Sequence, residues 1–411
     1  MTTLSDLREQ TFASLRGPNF RRYIAGQAVS LVGTWMQIVG QSWLVLQLTG
    51  SATAIGVVLA LQTVPMLLLG PYGGVVADRV DKRRLMIGLQ SMMGLQALIL
   101  GLLVVTGTIE LWHVYALAVL LGFNQCFENP ARQSFMLEMV APEDLRNAVS
   151  LQSVLASCSR MIGPAIAGLV IAAGGTGVCF LLNAASFVAV VTSLLTLDVS
   201  KLRPSPPTGR ARGQLREGLA YVRRTPDLAV PLLMMALVGC LAFEFQVVLP
   251  VLADHTFEAG AGAYGFLTAA MGAGSVVGGL AVATWGRIGI RPLIVIAVAF
   301  GIAMAAAAAA PSLPVLLATM VLVGALSVTF TSTTNSSLQL ASESTMRGRV
   351  MALWSVAFLG STAIGGPVAG WVCEQWGGRA GLLLGAAACL VAAVIGAAVL
   401  RRRPDETIPA R

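Results

Sequence analysis

Charge is what this chain has least of: only 11% of its 411 residues are Asp, Glu, Lys or Arg, against 56% hydrophobic. That balance excludes an assembly of soluble domains and points to a polytopic membrane protein. Lysine is almost missing. Lys82 and Lys201 are the two present and neither follows a glycine, so the G-x-x-x-x-G-K-[ST] loop of a nucleotide-driven motor does not exist here. The two histidines, His113 and His255, are far apart. The six cysteines (Cys126, Cys158, Cys179, Cys240, Cys373 and Cys389) lie in or beside apolar stretches without metal-ligand spacing. No metal, cofactor or disulfide framework is therefore expected. The net charge of +8 is spread over short basic clusters between apolar segments, so it is read as a membrane signature, and no nucleic acid is expected as a partner.

What is abundant is apolar sequence in helix-length runs. A crossing takes about 20 apolar residues, so twelve crossings take about 240, which fits the chain. Six helices are predicted at about 20–48, 52–77, 85–106, 112–135, 147–174 and 176–198, and six more at about 228–253, 262–285, 290–310, 313–336, 349–375 and 379–400. These are numbered spans 1 to 12 below. Residues 1–198 form one predicted bundle, 199–226 a cytoplasmic linker, and 227–411 a second bundle with a short basic tail. The linker holds Pro204, Pro206, Pro207 and seven basic residues, and its segment around Leu215, Leu219 and Val222 suits a short helix on the membrane surface. The polar, basic N-terminus is not a cleaved signal and is expected to stay in the cytoplasm. Arg379 alone falls on the opposite side and Arg160 inside a span. All other Lys and Arg share the side of the N-terminus, which predicts both termini inside.

A gap-free shift of 203 residues superposes Phe127 on Phe330, Ser134 on Ser337, Arg146 on Arg349, Gly163 on Gly366 and Pro164 on Pro367. Duplicated six-helix halves are a transporter architecture, with a site near the midplane and alternating access. Gly272-Ala273-Gly274 with Gly278 and Gly279 is not a dinucleotide fingerprint, because it lies within a helix with no strand before it. Helix packing is its expected role.

After span 2 the chain reads Gly74-Val75-Val76-Ala77-Asp78-Arg79-Val80-Asp81-Lys82-Arg83-Arg84. A positive-inside loop would explain the basic residues but neither the glycine nor the spacing of the acids. The spacing resembles the loop between helices 2 and 3 of the major facilitator superfamily, G-x-x-x-D-R-x-G-R-R, with Asp81 at the usual second glycine. In the second half, Gly286-Arg287-Ile288-Gly289-Ile290-Arg291 has lost the acid. A second resemblance runs from Phe127 to Gly168, through FENPARQSF, EMVAPEDLRNAVSLQS and RMIGPAIAG, and is similar to the drug:proton antiporter and enterobactin-exporter-like branch. Gly163, Pro164 and Gly168 match its helix 5 signature, where small residues let helices pack closely and proline frees a carbonyl.

The resemblance implies an all-α membrane protein of twelve transmembrane helices in two pseudo-symmetric six-helix bundles, with a cavity lined mainly by spans 1, 4, 7 and 10. It implies a secondary active exporter of an amphipathic drug, siderophore or other secondary metabolite, working by proton antiport as a monomer in the inner (plasma) membrane. It is not an enzyme, and its partners are the small-molecule substrate, protons and the lipid bilayer. An uptake system, a proton-independent facilitator and a non-transporting scaffold or sensor stay open as alternatives. Gly74, Asp78, Arg79, Asp81 and Arg83 are implied as conformational residues, with Asp78 latching onto the start of span 11 near Gly348 and onto Arg132.

Thr34, Gln37 and Gln41 step by three and four along span 1, and a cavity-facing stripe is expected. Where branch members carry an acid in span 1, this chain has Thr34. Glu128 and Arg160 lie about 15 and 20 Å from the same surface along antiparallel helices, which predicts an ion pair or a shared water network between them, with Arg132 competing for Glu128. Glu244 has Phe243 and Phe245 beside it and no basic residue in its helix. A carboxyl desolvated without a partner is the one able to hold a proton, so Glu244 is the candidate proton carrier, with a cation-attracting outer mouth as the plainer reading.

Overall fold

In lipid no water is available to bond exposed N–H and C=O groups, so a chain of this composition closes its backbone bonds within helices. The computed structural model describes residues 13–203, 214–286, 288–344 and 346–401, apart from the side chains at 71, 73–75, 77, 78, 214–216, 218 and 285. Among the described residues there is helix and no strand. Ten helical stretches are long and apolar enough to cross a membrane. One of them, Pro142–Leu195, holds spans 5 and 6, which meet at Gly175. Span 4, Leu111–Met139, is long enough at 29 residues but carries Asn124, Glu128, Arg132 and Glu138, and it completes twelve.

The remaining spans are Pro18–Thr49, Ala52–Arg79, Lys82–Val105, Pro226–Thr256, Gly260–Trp285, Ile290–Ala308, Leu313–Ala341, Arg347–Trp376 and Gly378–Arg401. Local chemistry sets several ends. Pro18 occupies the first turn of span 1, where its missing N–H costs nothing. At span 4 the Glu110 N–H donates to His113 Nδ1, which makes this histidine a helix cap. Gly175 (φ 81°) and Gly377 (φ 81°) turn the chain between spans 5 and 6 and between spans 11 and 12. Positive φ suits glycine, and the two turns fall at nearly equivalent places in the halves.

Two spans are not continuous helices. Span 7 runs Pro226–Ala242, breaks at Phe243 and Glu244, resumes as Phe245–Val251 and ends in a π-turn at Leu252–Thr256. Span 11 runs Arg347–Ser355, passes through a π-turn at Val356–Gly360 and resumes as Thr362–Trp376. π-turns release backbone groups from regular helix pairing and are found most often at functional sites.

The chain divides into two compact units. The first comprises Met1–Gly50, Leu61–Arg210 and Gly260–Ala269, and the second Ser51–Ala60, Ala211–Ala259 and Ala270–Arg411. The opening turns of spans 2 and 8 thus each belong to the opposite sequence half.

In the first unit span 6 is gripped by glycine faces of spans 1 and 3. Gly26, Gly33 and Gly40 recur every seven residues along span 1. A Cβ at these positions would meet Ser193, then Asn183 and Ser186, then Phe180 of span 6. Gly94 and Gly101 of span 3, again seven apart, meet Phe187 and Leu181 of the same helix. Seven residues are nearly two full turns, so each set lies on one face and admits close backbone approach. In the second unit Gly274 and Gly278 of span 8 take the carbonyls of Val321 and Ala325 in span 10, where Gly324 answers against Met271. The glycine pattern of span 8 is therefore a packing seam.

The linker helix Gln214–Arg224 turns Val222 into a small core with Leu228, Leu338 and Val350, and Glu217 pairs with Arg349 at 3.0 Å. Leu219 is exposed. Residues 204–213 of the linker, Arg287 and the basic tail beyond Arg401 lie outside the described residues.

Gly33→Val should cost about 1–3 kcal/mol through overpacking against Asn183 and Ser186, whereas Gly88→Ala, with nothing within 4 Å of the added Cβ, should be neutral. Thermal unfolding in detergent measures both. Equal shifts would contradict the glycine seam.

Candidate functional site

The loop after span 2 is assembled by its charges. Asp81 caps span 3, its Oδ1 accepting from the Arg84 N–H at 2.7 Å. Lys82 Nζ meets Glu138 Oε1 at 2.6 Å with both side chains about nine-tenths buried, tying the start of span 3 to the end of span 4. Arg83 donates at 2.8 Å to each of the Leu194 and Leu195 carbonyls, the negative end of the span 6 dipole. Arg79 is exposed. Gly74 and Asp78 lie in helical backbone, and the Asp78 side chain, with its expected latch, lies outside the described residues. The Lys82–Glu138 pair was missed from the sequence, although both residues sit at predicted ends of neighbouring helices.

Gly163, Pro164 and Gly168 are all buried. A Cβ at Gly163 would strike the Trp35 side chain and the Val32 carbonyl of span 1. One at Gly168 would crowd Ala261, Gly262 and Gly265 at the start of span 8, and the Pro164 carbonyl faces Gly265. The signature thus lets span 5 approach two helices of its unit closely.

The expected pair of Glu128 with Arg160 does not form. Glu128 Oε1 instead lies 3.1 Å from Arg132 Nε, one turn along the same helix, and accepts from Gln90 Nε2 at 3.3 Å. Axial depth carries no information on the direction in which span 4 presents Glu128. Arg132 also donates to Asn129 Oδ1 at 3.0 Å. Around the pair are Tyr23, fully buried with its hydroxyl unpartnered, and Asn124, whose Nδ2 donates to the Leu89 carbonyl at 2.9 Å while its Oδ1 is unpartnered. Arg160 is elsewhere, exposed, its guanidinium 5.0 Å from the centre of the Trp35 ring.

The span 1 stripe is put to structural use. Gln37 donates to Gln96 Oε1 at 2.9 Å and accepts from Asn183 Nδ2 at 2.6 Å, joining spans 1, 3 and 6 inside the unit. Gln41 accepts from Gln62 Nε2 at 3.3 Å, and Thr34 bonds the Ser30 carbonyl of its own helix at 2.9 Å. A cavity-facing role for Gln37 is thereby corrected: it is buried with both amide ends engaged, because amides in an apolar interior need each other.

Glu244 lies in the break of span 7, 3% exposed, with Oε1 lacking a hydrogen-bond partner. Thr362, just after the π-turn of span 11, is its polar neighbour. A Cβ added at Gly365 would come within 2.8 Å of that same oxygen and would collide with the Cys240 carbonyl. Phe243 packs edge-on to Phe245, Phe300 and Phe358 at 6.3, 5.8 and 5.5 Å, and Phe358 stacks on Trp354. The carboxyl thus lies where two interrupted helices meet, with an aromatic cluster built on the neighbouring Phe243. Neither interruption was legible in the hydropathy. Among the described residues no three His, Cys, Asp or Glu side chains gather as a metal-binding group.

The profile of a family described as transmembrane secretion effector matches residues 9–409. The chain is 30% identical over 218 residues to the MFS-type transporter YfiS of Bacillus subtilis, covering 51% of this chain and 50% of that one. It is 27% identical over 359 residues to the enterobactin exporter EntS of Escherichia coli, covering 86% and 85%. The chain thus spans about half the length of the first curated relative it matches. The crystal structure of a mutant nucleoside transporter, NupG, superposes with a TM-score of 0.73 at 15% identity, covering 93% of this chain and 99% of that one, a likeness of fold.

Breaking the Lys82–Glu138 pair from one side strands a buried charge, so Lys82→Met should destabilise by about 3 kcal/mol or more, and adding Glu138→Leu should recover most of the loss. Thermal unfolding of the single and double variants measures this. A double variant no more stable than the single would contradict a mutual pair.

Proposed function

The chain belongs to the transmembrane secretion effector family of the major facilitator superfamily, and on that premise we propose that it is a secondary active exporter of an amphipathic small molecule. The substrate is a siderophore, a drug or another secondary metabolite, and export runs by alternating access in the inner (plasma) membrane with both termini cytoplasmic. Likeness to the enterobactin exporter across most of both chains supports export. The basic residues gathered on one side of the membrane support the orientation.

Proton antiport is carried by Glu244. The observation behind this is its carboxyl buried in the break of span 7 with one oxygen unpartnered. An ionised carboxylate there lacks compensation, so the group exchanges a proton as its surroundings change between states. Among the described residues no basic side chain pairs with it. Thr362 and Gly365 on span 11 sense the change directly, and both spans have an interruption at that point that can move. The Glu128–Arg132 pair is already compensated and serves as a fixed charge pair of the first unit. Asp78 acts as the cytoplasmic latch of the cycle.

In inverted vesicles loaded with a panel of fluorescent amphiphiles, an imposed proton gradient should drive transport by the wild type. Glu244→Gln should bind the transported dye normally and lose the response to the gradient. Full gradient-driven transport by Glu244→Gln would overturn the assignment, and no transport of any probe by the wild type would overturn export itself.

A further inference from the structure

The side of span 5 that carries Arg160 is polar at the depth where lipid tails lie. Ser150, Ser153, Ser157 and Arg160 follow at steps of three, four and three, which places them on one face. Ser150, Ser153 and Arg160 are exposed and Ser157 is half-buried. Each hydroxyl bonds a carbonyl of its own helix, those of Arg146, Val149 and Ser153, at 2.9–3.0 Å. A different exposed face of the helix presents Val154, Ile162, Ile166 and Leu169. Exposed Val149 lies beside Arg160 on this strip, and each serine is satisfied by its own helix, so Arg160 is the group of the strip whose polarity the helix leaves unmet.

Arg160 is also the charge without a counterpart. Arg132 has Glu128 at 3.1 Å and Lys82 has Glu138 at 2.6 Å. Among the described residues Arg160 makes no ion pair or hydrogen bond, and its guanidinium rests over Trp35. It is fifteen residues from Leu145 and fourteen from residue 174, about 22 and 21 Å from the two ends of span 5, beyond reach of either headgroup layer. An unpaired cation at the membrane midplane is costly and marks a path for a ligand that compensates it. Trp35 is held beneath it by the close crossing at Gly163, one turn away.

We propose that Arg160 on its Trp35 platform is the recognition site for an anionic group of the transported molecule, a carboxylate or a similar planar oxyanion attached to an apolar body. The guanidinium offers paired N–H donors that match a carboxylate, and the indole supplies a flat apolar surface beside it. The bound anion neutralises the charge for as long as the substrate occupies the unit. The substrate class this gives is an anionic amphiphile, and it rests on the reading of the chain as a transporter of amphipathic molecules.

The test is equilibrium binding to the full chain in phosphatidylcholine nanodiscs, with dansylaminoundecanoate as the anionic probe and the matching dansylaminoundecylamine as the cationic one. Wild type should bind the carboxylate about tenfold or more tighter than the amine, and Arg160→Gln should lose that preference while Arg160→Lys keeps part of it. Ser157→Glu leaves Arg160 in place but supplies an internal carboxylate three residues away, and should abolish the preference without removing the cation. Adding phosphatidylglycerol to the discs should leave the affinity unchanged, and competition by that lipid would reassign the site to a headgroup. Equal affinity of wild type for both probes, or an undiminished preference in Arg160→Gln, would overturn the proposal. Binding is read without a proton gradient, so failure of gradient-driven export leaves this result standing, and loss of anion preference leaves the proton assignment standing.

Discussion

At membrane depth a charge is stable only beside something that compensates it, and this constraint sorts the ionisable residues of the protein into two groups. Lys82 with Glu138, which joins spans 3 and 4, and Arg132 with Glu128, one turn apart in span 4, are closed pairs. In such pairs attraction offsets desolvation, and removal of one partner costs several kcal/mol. Arg160 and Glu244 are the exceptions, one cation without an acid and one acid without a base. A sequence so sparing of charge has little reason to place an uncompensated one at membrane depth unless the missing partner arrives from outside. In the account proposed here, the partner of Arg160 is the substrate and the partner of Glu244 is the proton.

Glycine does for the backbone what pairing does for the charges. The seven-residue recurrence at Gly26, Gly33 and Gly40 lets span 6 lie against span 1 closely enough for Asn183 to reach Gln37. The buried amide network of Gln37, Gln96 and Asn183 then fixes the rotation of three helices about their axes, which apolar packing alone specifies weakly. Spans 7 and 11 lack that regularity around Glu244. A helix break facing a π-turn leaves backbone groups outside the regular ladder, and such places are where helices bend. The first unit is therefore braced by hydrogen bonds among side chains, while the second carries its irregular backbone where its uncompensated acid lies.

The number and order of the helices were legible because each crossing leaves a run of apolar residues, and even the turn between spans 5 and 6 announced itself in Gly174-Gly175. Span 4 was legible at about 112–135 as well, although its polar residues lower its hydropathy. Depth along an axis was readable from residue counts, but rotation about the axis was not. That is why Glu128 was assigned to Arg160 rather than to its own neighbour one turn on, and why Gln37 was given to a cavity when it belongs to the bundle interior. The glycine heptads of spans 1 and 3 were present in the sequence and carried the missing rotational information. The break at Glu244 left no mark in the sequence, since Phe243 and Phe245 would extend a helix as readily as interrupt it, and Pro250 follows too late to explain it.

In this proposal a single membrane carboxyl, Glu244, carries the exchangeable proton, while the paired carboxyl of Glu128 does not. Infrared difference spectroscopy across a pH titration of the purified protein in lipid reads protonated carboxyl groups directly. A titrating carboxylic-acid band should disappear in Glu244→Gln and persist in Glu128→Gln. A band that survives Glu244→Gln, or that vanishes only with Glu128→Gln, would contradict it.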